Sequence, residues 1–390
     1  MGYGFQLVSG DDNEAIDSAL MDSITEVRVE EELSKATRFA VRFDEDLCEG
    51  EPKTLQATAL KPGQMLGVIV WNSEEQPHCL VRGPITKTKS SAVVGGAGSW
   101  LEVHGEDRRL EMDRQTVHAA WEGLASDIVG ALLTNHGFEP TTAATTRPFD
   151  KAQNTLNQSN SDLKLIEDLA RKNNYEFWVT YEVSAPSLFQ TGYEIIETAH
   201  FEPSPPRPAG LAAALPFTLD DLVGGASGPT IRIHTPVDKC PNTTSFEIDV
   251  DAERATAALI AAVNTRTGDV EETEAADEQP ETDPGALRVA DAFGVKRTIS
   301  EPGAGTAEDR RAEQEAVLTE EGWFITAKVS TSSHLLPGIL SSHQIVSVEG
   351  SGFLHAGKYQ VAKVVHVINA WGHLMDATLR RNALPEALNA

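Results

Sequence analysis

The chain is short of positive charge, of cysteine, of aromatic side chains and of long apolar runs, and each shortage closes off a class of function. Its 32 Lys and Arg face 59 Asp and Glu across 390 residues, a net charge of −27. Contact with a phosphate backbone needs clustered cations, so sequence-specific binding of nucleic acid is not expected. Cys48, Cys79 and Cys240 are far apart and odd in number. They offer neither a disulfide framework nor a Cys-x-x-Cys metal spacing, which fits synthesis in a reducing bacterial cytoplasm. The longest strongly apolar run, residues 65–71, is too short to cross a bilayer. The opening Met1-Gly2-Tyr3-Gly4-Phe5 lacks the basic and apolar regions of a cleaved signal. No membrane insertion is expected.

Catalytic signatures are also wanting. Gly95-Gly96-Ala97-Gly98 has the wrong glycine order for a phosphate cradle, and Gly225-Ala226-Ser227-Gly228 is not a nucleophile elbow. Glu271-Glu272 sits in an acidic stretch where solvated charge is the plain reading. Asn242-Thr243-Thr244 fits a glycosylation sequon, and with no leader expected a chance match is the reading. His334, His343, His355, His366 and His373 crowd the last 57 residues without metal-ligand spacing, although a barrel could bring some of them together. The expectation is no enzyme, no catalytic residue, no metal and no cofactor.

What is present is β-structure. Residues 5–8, 24–31, 38–43, 65–71, 79–87 and 100–104 read as strands, with turns at Lys61-Pro62-Gly63 and 94–98. Phe39, Val41 and Phe43 alternate with Ala40 and Arg42, whereas Ile24 and Val27 do not alternate cleanly. From Thr116 the period changes to Ala120, Leu124, Ile128, Leu132 and Leu133, a helix with Gly137 as its stop. A polar linker follows over 139–161. Ser161 then caps a second helix with stripe Leu163, Ile166 and Leu169, and 175–181 is an aromatic strand. Residues 184–216 are rich in Pro and Ala. Residues 230–233 and 246–250 read as strands, 251–263 as a helix, 266–286 as an acidic loop and 307–321 as a charged helix.

The C-terminal block closes the chain with strands and turns. Leu336-Pro337-Gly338 echoes Lys61-Pro62-Gly63 and suggests two related β-domains. Val348-Glu349-Gly350, Gly357-Lys358-Tyr359-Gln360-Val361, Val364-Val365-His366 and Arg381-Asn382 follow in order. In the last run Met375, Ala377 and Leu379 face one way and Asp376, Thr378 and Arg380 the other; residues 359–368 carry apolar side chains on both faces and read as covered on both sides. This ordered set resembles phage late control protein D and the hub portion of type VI secretion spike (VgrG) proteins. Ser161-Asp162-Leu163 with Ile166, Leu169-Ala170-Arg171 and Tyr175-Glu176-Phe177 resembles the small α/β insert of the same family.

The resemblance implies a mainly β protein with α+β insertions. Two similar antiparallel β-barrel domains per subunit would form a trimeric pseudo-sixfold ring. On that reading 1–113 is the first barrel, 114–185 the α+β insertion and 186–215 a Pro/Ala-rich linker. Residues 216–250 and 322–382 make the second, split barrel; 251–321 is a helical insertion with the acidic loop, and 383–390 a C-terminal tail. The implied role is the structural hub of a contractile tail or injection-system baseplate. Its partners would be two further copies of itself, the sixfold inner tail tube protein, a separate trimeric spike protein and other baseplate components. A hub-like carrier or binding module for an effector, and a cell-wall-degrading hub enzyme, are the alternatives. The acidity could line a lumen or coat an exterior.

Overall fold

A computed structural model describes residues 4–45, 53–93, 98–146, 148–150, 155–186, 191–203, 228–234, 240–263, 270–276, 287–288, 294, 297–302 and 307–385. The protein is mainly β. Its first strands are β1 (Phe5–Ser9), β2 (Glu14–Ala15), β3 (Ile24–Glu32), β4 (Arg38–Glu45), β5 (Met65–Trp71), β6 (Pro77–Ser91) and β7 (Ser99–Glu106), with short helices α1 (Ser18–Asp22) and α2 (Lys53–Gln56) between them. An insert follows: β8 (Ala119–Trp121), β9 (Gly123–Leu124), α3 (Ala125–Asn135), β10 (Glu139–Thr142), β11 (Pro148–Phe149), β12 (Leu156–Gln158), α4 (Asp162–Lys172), β13 (Glu176–Ser184) and β14 (Glu194–Glu202). The remainder is β15 (Thr230–Arg232), β16 (Ser245–Val250), β17 (Ala257–Val263), β18 (Val270–Ala276), β19 (Thr298–Pro302), α5 (Ala307–Glu321), β20 (Ile325–Ser332), β21 (Ile345–Glu349), β22 (Gly357–Asn369) and β23 (Gly372–Arg381).

Thirteen of these strands form one sheet. Its first part runs β3-β4-β7-β6-β5-β1, with β2 beyond; its second runs β16-β20-β23-β22-β21-β15. Numbered by their order in the chain, the two parts have the same neighbour order, so the chain contains one six-stranded unit twice. The likeness reaches single residues. β6 slips by one residue against β7 between Ile85 and Lys87, and β22 slips against β23 between Val361 and Lys363. Such a bulge bends its strand and sharpens the twist, so each unit turns at the same point. The units differ at one edge: β1 lies antiparallel to β5, β15 parallel to β21.

The units join where β22 pairs with β3, from Lys363 opposite Glu32 to Asn369 opposite Glu26. A single apolar cluster takes in Leu7, Val29, Val41, Leu66, Val81 and Val103 from the first unit and Ile231, Val329, Val346, Val361, Ala377 and Leu379 from the second. The predicted alternations stand: Phe39, Val41 and Phe43 are buried, as are Met375, Ala377 and Leu379. The irregular pattern at the start of β3 has a cause, a register shift against β4 between Ile24 and Glu26.

The insert has its own core, with Ile128, Val129, Leu132 and Leu133 of α3 and Leu165, Ile166 and Leu169 of α4 packed on Phe177, Ala199 and Phe201. Ser161 caps α4, its hydroxyl accepting from the Lys164 amide at 3.4 Å. Gly137, at φ +76°, ends α3: its amide reaches the Thr134 carbonyl and Phe138 the Leu133 carbonyl, each at 3.0 Å. This paired pattern needs a left-handed residue, which glycine adopts without Cβ strain.

Several expectations are corrected. The helix expected from Thr116 begins only at Ala125, because Gly123 at φ +103° breaks the path and Ala119–Trp121 pairs with Leu156–Gln158 as strand. The linker expected over 139–161 contains β10, β11 and β12. The expected linker over 186–215 holds β14, the central strand of the insert sheet, between β10 and β13; residues 204–215 lie outside the described set. The helix expected over 251–263 is β17 from Ala257 on, flanked by β18 and β19. A short, wholly apolar run does not reveal its period. β18 in turn occupies 270–276 of the expected acidic loop, and the rest of that loop lies outside the described residues. The region 251–321 is therefore strand as well as helix. At the end of the chain, Ala383 and Leu384 are buried and Leu384 bridges Leu287, so 383–385 is packed rather than a tail. The strand at 359–368 is covered on both faces over Tyr359, Gln360 and Val361, all buried, while past the bulge Val365 and Val367 are partly exposed on the outer face.

The Pro-Gly echo is also displaced. The Gly63 amide donates to the Ile85 carbonyl at 2.8 Å, and the Ile85 amide to Gln64 at 2.9 Å. In the second unit the His343 amide donates to Val361 at 3.0 Å, and Val361 to Gln344 at 2.8 Å. The counterpart of Gly63-Gln64 is thus His343-Gln344, not Pro337-Gly338. Both lead residues are left-handed, Gly63 at φ +90° and His343 at φ +68°.

Candidate assembly surface

Most side chains on β3, β4 and β7 that point away from the core are charged, with Ala40 and Trp100 the apolar exceptions. Glu26, Arg28, Glu30 and Glu32 alternate with buried Val27 and Val29; Arg38, Arg42 and Asp44 follow on β4, and Glu102, His104 and Glu106 on β7. Neighbours pair across strands: Arg38 with Glu106 at 3.1 Å, Lys89 with Glu102 at 3.6 Å, and Lys363 of the second unit with Glu32 at 3.0 Å and with Glu30. Pairs this exposed contribute at most about 1 kcal/mol each. Their value lies in specifying which strand edges meet. The wall carries both signs, so the −27 net charge is not concentrated on it.

On the second unit the same outer face holds an open groove of about 390 Å³, lined by Glu247, Lys328, Ser330, Lys363, Val365 and Asp376 among others. Ser330 donates to the Asp376 carboxylate at 2.6 Å. At the end of this unit, Trp371 in the β22–β23 turn is 89% exposed, with Leu335 and Leu374 partly exposed on adjoining segments. Large apolar side chains left in water mark contact surfaces when they gather.

Three buried polar nodes fix the insert to the two units. Arg82 on β6 meets Glu197 on β14 at 3.1 Å, and Arg108 reaches the same carboxylate at 2.9 Å. Asp107 holds Arg109 at 2.7 Å and accepts from the Thr37 amide at 2.7 Å; Arg109 also donates to the Phe177 carbonyl at 3.1 Å. Glu176 on β13 joins His343 at 2.8 Å and Arg380 at 3.1 Å. Burial pulls the His343 imidazole below its ordinary value despite the carboxylate beside it. Burial works to raise Glu176, but His343 and Arg380 outweigh it and the carboxyl lies below its usual range. The Glu176–Arg380 contact is therefore the ionic part of the node. Trp178 stacks on the His343 ring at 4.1 Å and on His200 at 4.8 Å between centroids.

The five C-terminal histidines do not converge. His366 and His373 do meet, at 2.9 Å, with the Glu31 carboxylate 3.5 Å from the other His366 nitrogen. Burial, with His366 adjacent, pushes His373 down to about 3. Among the described residues no group of three or more potential ligands could hold a metal ion. Gly95-Gly96-Ala97, Ser227 and most of the acidic stretch lie outside the described residues, while Glu271 and Glu272 fall in β18. Asn242 is buried, its amide group bonded to the backbone of Thr230 and Arg232. Sequence reading missed the buried arginine–carboxylate nodes, because Arg82, Asp107 and Glu176 look like any charged residue until the insert folds back onto them.

No protein-family profile matches the chain, and no curated protein does. Solved structures do. The 43 kDa tail protein of prophage MuSo2 from Shewanella oneidensis is 11% identical, with a TM-score of 0.63 over 97% of this chain and 99% of that one. A tail protein from Neisseria meningitidis MC58 is 12% identical, with a TM-score of 0.61 over 97% of each chain. A chain of the Francisella PdpA–VgrG complex is 9% identical, with a TM-score of 0.55; the match spans 98% of this chain and 58% of that one. The protein has the fold of phage tail proteins, over their full length. The same fold occurs as part of a larger chain in the PdpA–VgrG assembly, in keeping with the resemblance read from the C-terminal block.

Proposed function

We propose that this chain is a structural hub of a phage-type tail or related injection apparatus, a non-enzymatic ring that adapts a sixfold inner tube to a trimeric spike. The observation that carries the reading is the duplicated six-stranded unit, with the same strand order and the same bulge in both copies. A tube of sixfold symmetry presents six equivalent positions. Three chains with two similar units each offer six similar positions while keeping true threefold symmetry for a trimeric tip. The full-length fold likeness to the tail proteins from Shewanella oneidensis and Neisseria meningitidis supports this setting. The exposed end around Trp371 is the face we assign to an axial partner, tube or spike.

The reading is tested by the mass of the purified protein in solution together with its capture of tube and spike subunits. Three chains per particle, and a tube contact weakened by Trp371→Ser without loss of the particle, are expected. A stable monomer at micromolar concentration contradicts the ring.

A further inference from the structure

The duplication also says which strand edges meet between copies. Within the chain, β22 has two neighbours along one edge: β21 on residues 357–360 and then, past the bulge, β3 on 363–369. Its counterpart β6 has β5 along residues 77–84, but the same edge past the bulge, from Lys87 on, has no strand beside it among the described residues. The counterpart of β3 is β16, since Val27 and Phe246 stand at matching places opposite Val41 and Val329. β3 has β22 on its far side, whereas β16 ends the sheet with that side open among the described residues. The chain therefore carries one closed junction, β22 with β3, and the two unfilled halves of a second, β6 and β16. Both halves cannot meet within one copy if the second junction repeats the first around an axis.

We infer that β16 of one copy pairs antiparallel with the free end of β6 in the next, repeating the β22–β3 junction between chains. The register follows from the junction already formed. Lys363 stands opposite Glu32 and Val365 opposite Glu30. Transferred to the counterparts, Lys87 stands opposite Asp251, Lys89 opposite Asp249 and Ser91 opposite Glu247. Charge agrees with this transfer. Lys363, the first residue past its bulge, binds Glu30 and Glu32. Lys87, the first past the matching bulge, meets acids at both corresponding positions, Asp249 and Asp251. Lys87 and Asp249 are exposed and form no ion pair among the described residues. Two exposed strand edges with matched lysines and carboxylates are a template for pairing with another chain. Repetition would make the sheet continuous from subunit to subunit.

This names the self-association edge of the proposed hub and rests on that reading only for closure of the ring. The test uses the full chain with Cys48 and Cys240 replaced by Ser and with Lys89→Cys and Asp249→Cys introduced together. Opposed residues on antiparallel strands lie within about 5.5 Å between Cα atoms, inside disulfide reach. Mild oxidation should link chains covalently, up to a closed trimer, while either cysteine alone gives no such ladder. In parallel, Lys87→Glu with Lys89→Glu should weaken assembly about a hundredfold, since like charges facing each other cost several kcal/mol. Adding Asp249→Lys and Asp251→Lys to that chain should restore it. A folded double-cysteine chain that forms particles without cross-linking overturns the register and leaves the hub reading standing. Cross-linking into open chains without closure upholds the edge pairing and contradicts the ring. A folded chain with no inter-chain link and no response to charge reversal overturns the inference outright.

Discussion

The two six-stranded units share a strand order and a bulge, yet they diverge at matching positions where one of the two meets the insert. Gly63 fills the left-handed turn before β5 in the first unit; His343 fills it before β21 in the second. A left-handed conformation costs a non-glycine residue roughly 1–2 kcal/mol. His343 is held there because its ring lies against Trp178 and its Nε2 meets Glu176. At the end of β7 stands Asp107 and at the matching end of β23 Arg381, where the pairings Ile85–Gly105 and Val361–Leu379 align the strands. Asp107 anchors Arg109, while Arg381 donates to the Ala356 carbonyl at 2.8 Å. The difference teaches that a duplicated scaffold keeps its backbone rules and specialises the positions that face something new.

Removing the first unit's anchor should have the largest effect. Asp107→Ala leaves Arg109 buried without its carboxylate, and breaking a buried pair this way costs about 3–5 kcal/mol. Urea unfolding should show that loss, while the same experiment on exposed Arg38→Ala should show less than about 1 kcal/mol. If both changes cost the same, the insert is not held to the first unit by this node.

Next come the paired core positions Leu101 and Met375, which occupy the same place on β7 and β23 and are both buried. Each change to Ala should cost about 2–5 kcal/mol. Because the units share one apolar cluster, either change should shift a single unfolding transition. Two separated transitions would show that the β22–β3 junction does not couple the units.

Acid should separate the units chemically, since the buried histidine pair belongs to the second unit's β22 and β23. With its pKa pushed down to about 3, His373 favours the folded state fully above its unfolded value near 6.5. That contribution is lost as pH falls through 6.5 towards 3, because the unfolded state then binds the proton more readily. At pH 5 the loss is about 2 kcal/mol as an upper figure. Melting temperatures at pH 7.5 and 5 should diverge in the parent and diverge less in His373→Gln, where buried His343 keeps its own share of the acid loss. No change in slope would mean the pair is already reached by water.

The smallest effect is at the turn. Gly63→Ala should cost about 1 kcal/mol from strain at positive φ, with no packing loss, because nothing lies within 4 Å of an added Cβ. His343→Gly removes strain but uncovers Trp178, so its fluorescence should redden and the insert become more open to protease. An unchanged spectrum would show that the stacking does not hold the insert.

Much of this was legible in the sequence where side chains alternate strictly. Phe39, Val41 and Phe43, Met375, Ala377 and Leu379, the Ser161 cap and the Gly137 stop announce themselves within a few residues. The duplication was only hinted at, and through the wrong residues: Pro337-Gly338 looks like Pro62-Gly63, but the hydrogen bonds select His343, whose identity hides its conformation. The run 257–263 is apolar throughout and carries no period, so β17 resembled a helix. β14 was obscured by the Pro-rich segment that follows it. The buried nodes and the open edges of β6 and β16 depend on residues distant in the chain and became visible only in the pairing order.

An end-on electron cryo-microscopy average of the purified protein bears most directly on two like units per chain in a threefold ring. Six similar lobes around a central opening, related in pairs by threefold symmetry, are the expected view. A particle with no rotational symmetry, or with lobes whose number is not twice the number of chains, would contradict it.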